Sequence, residues 1–200
     1  MHELINYIQS LGYLGYALMF AIIFFESFPL TFLLPGDSLL FTAGLLASQG
    51  YFSMGLLILT FFVAAVVGYI FSYFFGQKII KRFFRNPDSK IFNPKYVVYT
   101  REFYEKYGAK TVIIGRFVPI VRSFGPALAG VADMTFKKFM VYSFVGAVLW
   151  AIGMTCIGFY LGHIFPQTET FLTPIIVSII FVSLLPTVFE YLKRNSSRVQ

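Results

Sequence analysis

TVIIGRFVPIVRSFGPALAGVAD, at residues 111–133, is apolar enough for a membrane yet too interrupted to cross it as one regular helix. Residues 26–49, ESFPLTFLLPGDSLLFTAGLLASQ, have the same character. Each stretch holds two prolines, and proline removes a helical hydrogen bond and clashes with the preceding turn. Broken backbone in hydrocarbon is tolerated only where protein or a watery cavity covers it. We therefore predict two re-entrant hairpins, each of which enters the membrane, turns near its middle and leaves on the same side.

The turns of these hairpins are expected at two dipeptides that are typical of turns, Pro35-Gly36 and Gly125-Pro126. Glycine weakens a helix because it adds backbone freedom and brings no side chain to pack. The residues predicted to break or weaken the hairpin helices are Pro29, Pro35, Gly36, Pro119, Gly125, Pro126 and Gly130.

The composition of the whole chain favours a membrane protein. Of its 200 residues, 58% are hydrophobic and only 12% are charged, whereas soluble domains carry about 25% charged residues. Three apolar runs, 52–75, 139–161 and 171–192, exceed the roughly 20 residues that cross a bilayer. A shorter run, 12–25, is expected to span when neighbouring residues extend it. The sequence predicts an all-α polytopic protein of about four spanning helices and two hairpins, forming a single membrane domain over residues 1–200.

Positive charge indicates how the chain is oriented. Nine of the sixteen Lys and Arg residues lie between Lys78 and Lys110, a pattern that the positive-inside rule explains better than nucleic-acid binding does. The loop 76–110 and the C-terminus are therefore predicted to be cytoplasmic. The run 12–25 then starts inside, and the two hairpins open to opposite sides, as in the inverted repeats of many transporters. We expect a multi-pass protein of the inner, or cytoplasmic, cell membrane.

The stretch that begins at Asn93-Pro94, a predicted N-cap followed by proline at the first helical position, and stops at Gly108 carries a different pattern. Aromatic residues recur there at spacings of three and four, and polar residues separate them. This periodicity predicts an amphipathic helix at the inner membrane interface. The alternative is a solvated helix that packs on the second hairpin.

Four ionisable residues within the two hairpins are the candidates for function: Glu26, Asp37, Arg116 and Arg122. An Asp or Arg at the centre of a membrane helix costs about 2.5–3.5 kcal/mol on insertion scales. The acidic pair lies on the first hairpin and the basic pair on the second, so the two pairs could meet across the hairpin tips. One account is that two salt bridges fasten the hairpins together. The other is that the arginines grip a phosphate and the carboxylates exchange protons.

Other kinds of chemistry find little support in the sequence. The two histidines, His2 and His163, lie far from the charged residues, and no Ser-His pairing or metal-ligand spacing is visible. We therefore expect no enzyme, no catalytic residue, no metal and no cofactor. Cys156 and Trp150 are interpreted as packing residues. A small cation/proton antiporter and a non-transporting assembly factor stay open as alternatives.

Two motifs resemble those of the DedA family of membrane proteins, whose eukaryotic relatives share the VTT domain. The first motif comprises Glu26, Pro29, Pro35-Gly36-Asp37 and Gly44. The second reads Gly115-Arg116-Phe117-Val118-Pro119, followed by Arg122, Pro126 and Ala129-Gly130. Ser123 stands where many members carry Thr, which is a conservative difference. The resemblance covers most of the chain.

The resemblance implies a lipid transporter. Bacterial members are implicated in recycling undecaprenyl phosphate or in flipping phospholipids with the proton motive force, and the positions of Glu26, Asp37, Arg116 and Arg122 are regarded as essential in them. We therefore expect a flippase for a phosphate-bearing lipid, with undecaprenyl phosphate favoured over phosphatidylethanolamine. Its partners are then the lipid phosphate headgroup, protons and the membrane, with no nucleic acid. A homo-oligomer is left open by the sequence.

Overall fold

The computed structural model describes residues 2–29, 34, 36–83 and 95–164, and within them every regular element is a helix. The predicted spanning run 171–192, the basic C-terminus and Pro35 lie outside the described residues. The helices are α1 (His2–Glu26), α2 (Gly36–Ser48), α3 (Met54–Phe75), α4 (Lys81–Phe83), α5 (Lys95–Tyr107), α6 (Thr111–Gly115), α7 (Pro119–Val131), α8 (Phe136–Ala147) and α9 (Gly153–Ile164). Two π turns, Gly76–Ile80 and Val148–Ile152, continue α3 and join α8 to α9.

Two continuous helices within the described part of the chain are long and apolar enough to cross a membrane. The first long helix is Met54–Ile80, with 27 residues, and the second long helix is Phe136–Ile164, with 29 residues. At 1.5 Å per residue each is about 40 Å long, against about 30 Å of hydrocarbon. They run antiparallel, because the ring of Phe136 lies 5.2 Å from that of Phe74 and the ring of Phe144 lies 5.0 Å from that of Phe62. The helices predicted over 52–75 and 139–161 are thus present.

Helix α1 runs parallel to α3. The backbone N–H of Ser53 donates to the Tyr16 hydroxyl at 2.9 Å, and further along, the rings of Phe24 and Phe71 lie 5.6 Å apart. Gly12, with φ of 35°, kinks α1 and leaves a straight apolar arm from Gly12 to Glu26. Beyond the break, α2 leads back towards the start of α3, since it ends at Ser48 and α3 begins at Met54.

These contacts correct two sequence predictions. The run 12–25 was expected to start at the cytoplasmic side, opposite to the start of the helix over 52–75, but it begins beside the start of α3 and stops at Glu26. The arm Gly12–Glu26 has 15 residues, about 22 Å of helix, which is too short to cross without the extension that the sequence prediction required. The first broken segment also differs from the predicted hairpin 26–49. Its break falls after Glu26, with Pro29 in the turn, and Gly36 already starts a continuous helix.

The second broken segment turns earlier than predicted. Helix α6 ends at Gly115 and α7 starts at Pro119, a first-turn position that suits proline. The predicted turn at Gly125-Pro126 is wrong, because Pro126 lies inside α7. Pro126 removes one helical hydrogen bond, but packing holds the helix there. The hydroxyl of Tyr104 donates to the carbonyl of Gly125 at 2.9 Å.

The two broken segments end in α2 and α7, and each of these helices packs on the long helix that follows the other one in the chain. Helix α2 lies on α9, where a Cβ on Gly44 would fall 2.2 Å from the carbonyl oxygen of Thr155. Helix α7 lies on the end of the first long helix, where a Cβ on Gly130 would fall 2.0 Å from the carbonyl oxygen of Tyr73. Gly130 was predicted to weaken the hairpin helix. Its observed role is close backbone packing, which only a residue without a side chain permits.

The helix predicted before Gly108 is present as α5, and it packs on α7. The rings of Tyr99, Phe103 and Tyr107 are exposed, while Arg101 pairs with Asp133 at 2.9 Å and Tyr104 reaches Gly125. Lys81 also pairs with Asp133, so α4, α5 and the turn before α8 meet at this carboxylate.

Candidate functional site

The two chain breaks meet at mid-height of the long helices. A Cβ on Gly68 would fall 2.6 Å from the Ser27 hydroxyl, just beyond the end of α1. The guanidinium of Arg116 lies over the ring of Tyr69, 3.6 Å from its centroid. Gly68 and Tyr69 lie next to the midpoint of Met54–Ile80, and Trp150, which also contacts the site, is the midpoint of Phe136–Ile164. The breaks therefore bring polar groups to the middle of the two long apolar helices.

Arg122 joins both carboxylates of the first broken segment. Its Nη2 pairs with Oε1 of Glu26, and its Nη1 pairs with Oδ1 of Asp37 at 2.6 Å. The side chains of Arg122 and Glu26 are 6% and 2% exposed, whereas that of Asp37 is 43% exposed. The ion pairs are therefore buried on the Glu26 side and open to the exterior on the Asp37 side.

Glu26 has two further partners that fix its position. The backbone N–H of Gly36 donates to Oε1 of Glu26 at 3.1 Å, and the Ser123 hydroxyl donates to the Glu26 backbone carbonyl at 3.0 Å. The Gly36 contact leaves no room for a side chain, because a Cβ there would fall 1.7 Å from Oε2 of Glu26. Gly36 was predicted to break a hairpin helix. In the structure it is the first residue of α2, and its missing side chain makes space for the carboxylate.

Arg116 is buried, and no described residue offers it a carboxylate. It is 1% exposed, and it forms no ion pair within the part of the chain that the structure describes. The face of its guanidinium stacks on Tyr69, and the ring of Trp150 lies 5.9 Å away. Its Nε and Nη2 have no hydrogen-bond partner among the described residues. Buried charges are normally paired or hydrogen-bonded, and Arg116 departs from that rule.

Trp150 connects the arginine side of the site to Asp37. Its Nε1–H donates to Oδ1 of Asp37 at 2.7 Å, and its ring lies 5.2 Å from the guanidinium carbon of Arg122. The residue sits in the π turn Val148–Ile152. A π turn inserts an extra residue into the helix and so changes which side chains face a given neighbour, and such turns are frequent at functional sites.

The sequence reasoning located four of these residues and missed two. Glu26, Asp37 and Arg122 are in contact, and Arg116 shares the ring of Trp150 with Arg122. Two ion pairs join the broken segments, and both involve Arg122, while Arg116 takes part in neither. Tyr69 went unnoticed, and Trp150 was interpreted as packing. The available signal for Trp150 was that it is the single Trp of the chain and falls in the middle of an apolar run.

Comparison with known proteins gives the family. The VTT domain model matches residues 34–160, a range that contains Asp37, Arg116, Arg122 and Trp150. "Protein DedA" of Escherichia coli strain K12 is 41% identical over 196 residues, which cover 96% of this chain and 89% of that protein. An uncharacterized membrane protein of Mycobacterium tuberculosis strain H37Rv is 42% identical over 167 residues, covering 82% and 73%.

A more distant relative, the "Inner membrane protein YghB" of Escherichia coli strain K12, is 29% identical over 193 residues, covering 90% of this chain and 85% of that protein. No solved structure matches the chain. The domain match and the identity to DedA extend over most of the sequence, and relatives are named as membrane proteins. The chain therefore belongs to the DedA family of membrane proteins.

Proposed function

We propose that this protein moves a phosphate-bearing lipid between the leaflets of the membrane, with undecaprenyl phosphate favoured over phosphatidylethanolamine. The observation that carries the proposal is the position of Arg116 and Arg122, which are buried at mid-height of two long apolar helices. Charged groups at that depth in a membrane cost several kcal/mol, and they typically mark substrate or ion pathways. A planar guanidinium is also the side chain best suited to bidentate binding of phosphate.

The packing of the two broken segments supports alternating access. Helix α2 packs on the second long helix and α7 packs on the first, and the two long helices run in opposite directions. This arrangement fits an inverted repeat of two re-entrant hairpins whose tips meet near the membrane midplane. Movement of one half against the other would open the site to each side in turn, while the lipid tail stays in the bilayer.

The carboxylates supply a means of proton coupling. Glu26 and Asp37 neutralise Arg122 when no anion is bound. A phosphate that binds Arg122 displaces them, and a displaced buried carboxylate is stable only when it takes up a proton or finds another cation. Proton uptake from one side and release to the other would couple lipid movement to the proton gradient.

The distribution of basic residues supports one orientation. Lys81, Arg101 and Lys138 lie at the end of the protein where the first long helix finishes and the second begins. The positive-inside rule assigns this end to the cytoplasm, in a multi-pass inner-membrane protein. A cation/proton antiporter is less well supported, because both carboxylates that could hold a cation already accept from Arg122.

Reconstituted vesicles test the proposal. Purified full-length protein is placed in vesicles that contain undecaprenyl phosphate or phosphatidylethanolamine, and the accessibility of the headgroup on the outer surface is followed under an imposed pH gradient. Wild type and the control Arg101→Ala, which removes an arginine from an exposed ion pair, should both move lipid. Arg122→Ala and Arg122→Lys should not.

The stability of each variant is measured in the same vesicles, since Arg122→Ala leaves Glu26 buried without its cation. Arg122→Lys keeps a positive charge beside the carboxylates and therefore separates loss of phosphate binding from loss of the fold. If wild type moves neither lipid under any imposed gradient, the proposed function is wrong.

A further inference from the structure

The two arginines of the site differ in whether the described residues supply them with a carboxylate. Arg122 donates to Glu26 and Asp37 through its two terminal nitrogens. Arg116 makes no ion pair with any described residue, although it is 1% exposed. The nitrogens that lack a described partner, Nε and Nη2, lie on the same edge of the planar guanidinium. That edge presents two parallel N–H groups, the geometry that receives two oxygens of one phosphate or carboxylate.

The aromatic neighbours explain how Arg116 stays charged with no carboxylate among the described residues beside it. Tyr69 stacks on the face of the guanidinium at 3.6 Å, and Trp150 lies 5.9 Å away. Cation–π contacts stabilise a positive charge through the face of the ion. The N–H groups lie in the plane of the ion, so stacking on its face does not engage them.

Trp150 also controls the carboxylate nearest to the exterior. Oδ1 of Asp37 accepts from both the indole N–H of Trp150 and Nη1 of Arg122. The Asp37 side chain is 43% exposed, so these two hydrogen bonds, rather than burial, hold it on Arg122. Without the indole N–H, the carboxylate would lose one of the two hydrogen bonds that hold it on Arg122.

We propose that this Nε–Nη2 edge of Arg116 is the docking point for the anionic headgroup, and that Trp150 is a positioning residue that keeps the edge free by holding Asp37 on Arg122. This inference rests on the proposed function and assigns the two arginines different tasks within it. Arg116 binds the incoming phosphate, and Arg122 keeps the carboxylates until the anion is in place. The ligand chemistry is a phosphate with two adjacent oxygens, whether it belongs to a lipid or is free.

The single tryptophan of the chain makes the first test direct, because selective indole excitation reports on Trp150 alone. Full-length protein in maltoside detergent micelles, which contain neither tryptophan nor phosphate, is titrated with a short-chain alkyl phosphate, with inorganic phosphate, and with the matching alkyl alcohol as an uncharged control. The alkyl phosphate should change the emission saturably, and the alcohol should not. Arg116→Lys, which keeps the charge and loses the two-donor edge, should weaken binding at least about tenfold. Arg101→Lys should bind as wild type does.

The role of Trp150 is tested by calorimetric titration, which needs no tryptophan. Trp150→Phe keeps an aromatic ring and loses the N–H, and it should weaken alkyl phosphate binding about tenfold. Adding Asp37→Asn removes the competing carboxylate and should restore the affinity. A purely structural role for Trp150 predicts no such rescue. Each variant is first checked for an unchanged unfolding temperature in the same micelles.

The outcomes separate this inference from the proposed function. Unchanged binding in Arg116→Lys, or failure of Asp37→Asn to rescue Trp150→Phe, overturns the assignment of the two residues. Binding that follows this pattern in a protein that moves no lipid supports the anion site and overturns the transport proposal. Equal affinity for inorganic phosphate and alkyl phosphate supports the anion site and overturns the lipid as its ligand.

Discussion

Replacing Gly158 with alanine should force apart two helices that are in backbone contact. A Cβ at position 158 would lie 2.1 Å from the carbonyl oxygen of Phe41 and 2.9 Å from its carbonyl carbon. These are backbone atoms of α2, so no side chain can rotate away to relieve the overlap. An ordinary contact requires α2 to move away from α9 by roughly 1 Å or more.

The size of the effect follows from that displacement. A gap of about 0.5–1 Å forfeits a quarter to a half of the dispersion attraction of the atoms that line it. Overpacked cores typically lose about 1–3 kcal/mol. Because Gly44 makes a second backbone contact in the same interface, the displacement weakens the whole α2–α9 contact. We expect Gly158→Ala to lower the free energy of unfolding by about 3 kcal/mol.

Gly153 provides a matched control five residues earlier in the same helix. A Cβ at that position meets no atom within 4 Å. Alanine favours a helix over glycine by about 0.8–1.0 kcal/mol, so Gly153→Ala should leave the free energy of unfolding unchanged or raise it by up to about 1 kcal/mol. The two substitutions are chemically identical and are expected to have opposite signs.

Equilibrium unfolding in mixed micelles, with increasing sodium dodecyl sulfate and detection by circular dichroism, measures both variants against wild type. The contact between α2 and α9 is refuted if Gly158→Ala unfolds at the same detergent fraction as wild type. If Gly153→Ala loses as much stability as Gly158→Ala, the loss reflects alanine in this helix rather than contact with Phe41.

Three smaller changes address other contacts by the same unfolding measurement. Ser123→Ala removes the buried hydroxyl that donates to the Glu26 carbonyl and should cost about 1–3 kcal/mol; an unchanged midpoint would mean that the carbonyl has another partner. Tyr104→Phe removes the hydrogen bond to Gly125 and should cost about 1 kcal/mol, and a loss of several kcal/mol would contradict a single-bond role. Asp133→Asn tolerates the positive φ of 57° but loses two partly exposed ion pairs, so it should cost less than about 1 kcal/mol, and less still in high salt. A salt-independent loss would show that charge pairing is not the cause.

The sequence located the broken segments but not the positions of the breaks. Prolines indicated correctly that 26–49 and 111–133 are not single helices. Pro126 nevertheless stays inside α7, because α5 and the first long helix pack around it. Local turn preference could not reveal these distant contacts. The direction of the run 12–25 was wrong for a similar reason, since its contact with Ser53 is not visible in a hydropathy pattern.

The charged residues of the site were predictable because an ionisable side chain within an apolar stretch is costly unless it finds a partner or a task. Their partners were not predictable. Trp150 has the character of an ordinary apolar residue, and its contact with Asp37 depends on a π turn that sequence periodicity does not reveal. The unequal use of Arg116 and Arg122 was also hidden, because both arginines lie in the same kind of sequence and differ only in which side chains reach them.

The packing of α2 on α9, which is synthesised much later, constrains how the protein folds during its insertion into the membrane. Gly44 of α2 contacts Thr155, which leaves the ribosome more than a hundred residues later. With only 13 residues, α2 is too short to span a bilayer by itself. During most of synthesis it also lacks α9, the helix on which it packs in the folded protein. The nascent chain must therefore be sheltered at the insertion machinery until α9 arrives. Truncation before α9 should yield chains that quality-control proteases remove, even though the first long helix has already been inserted.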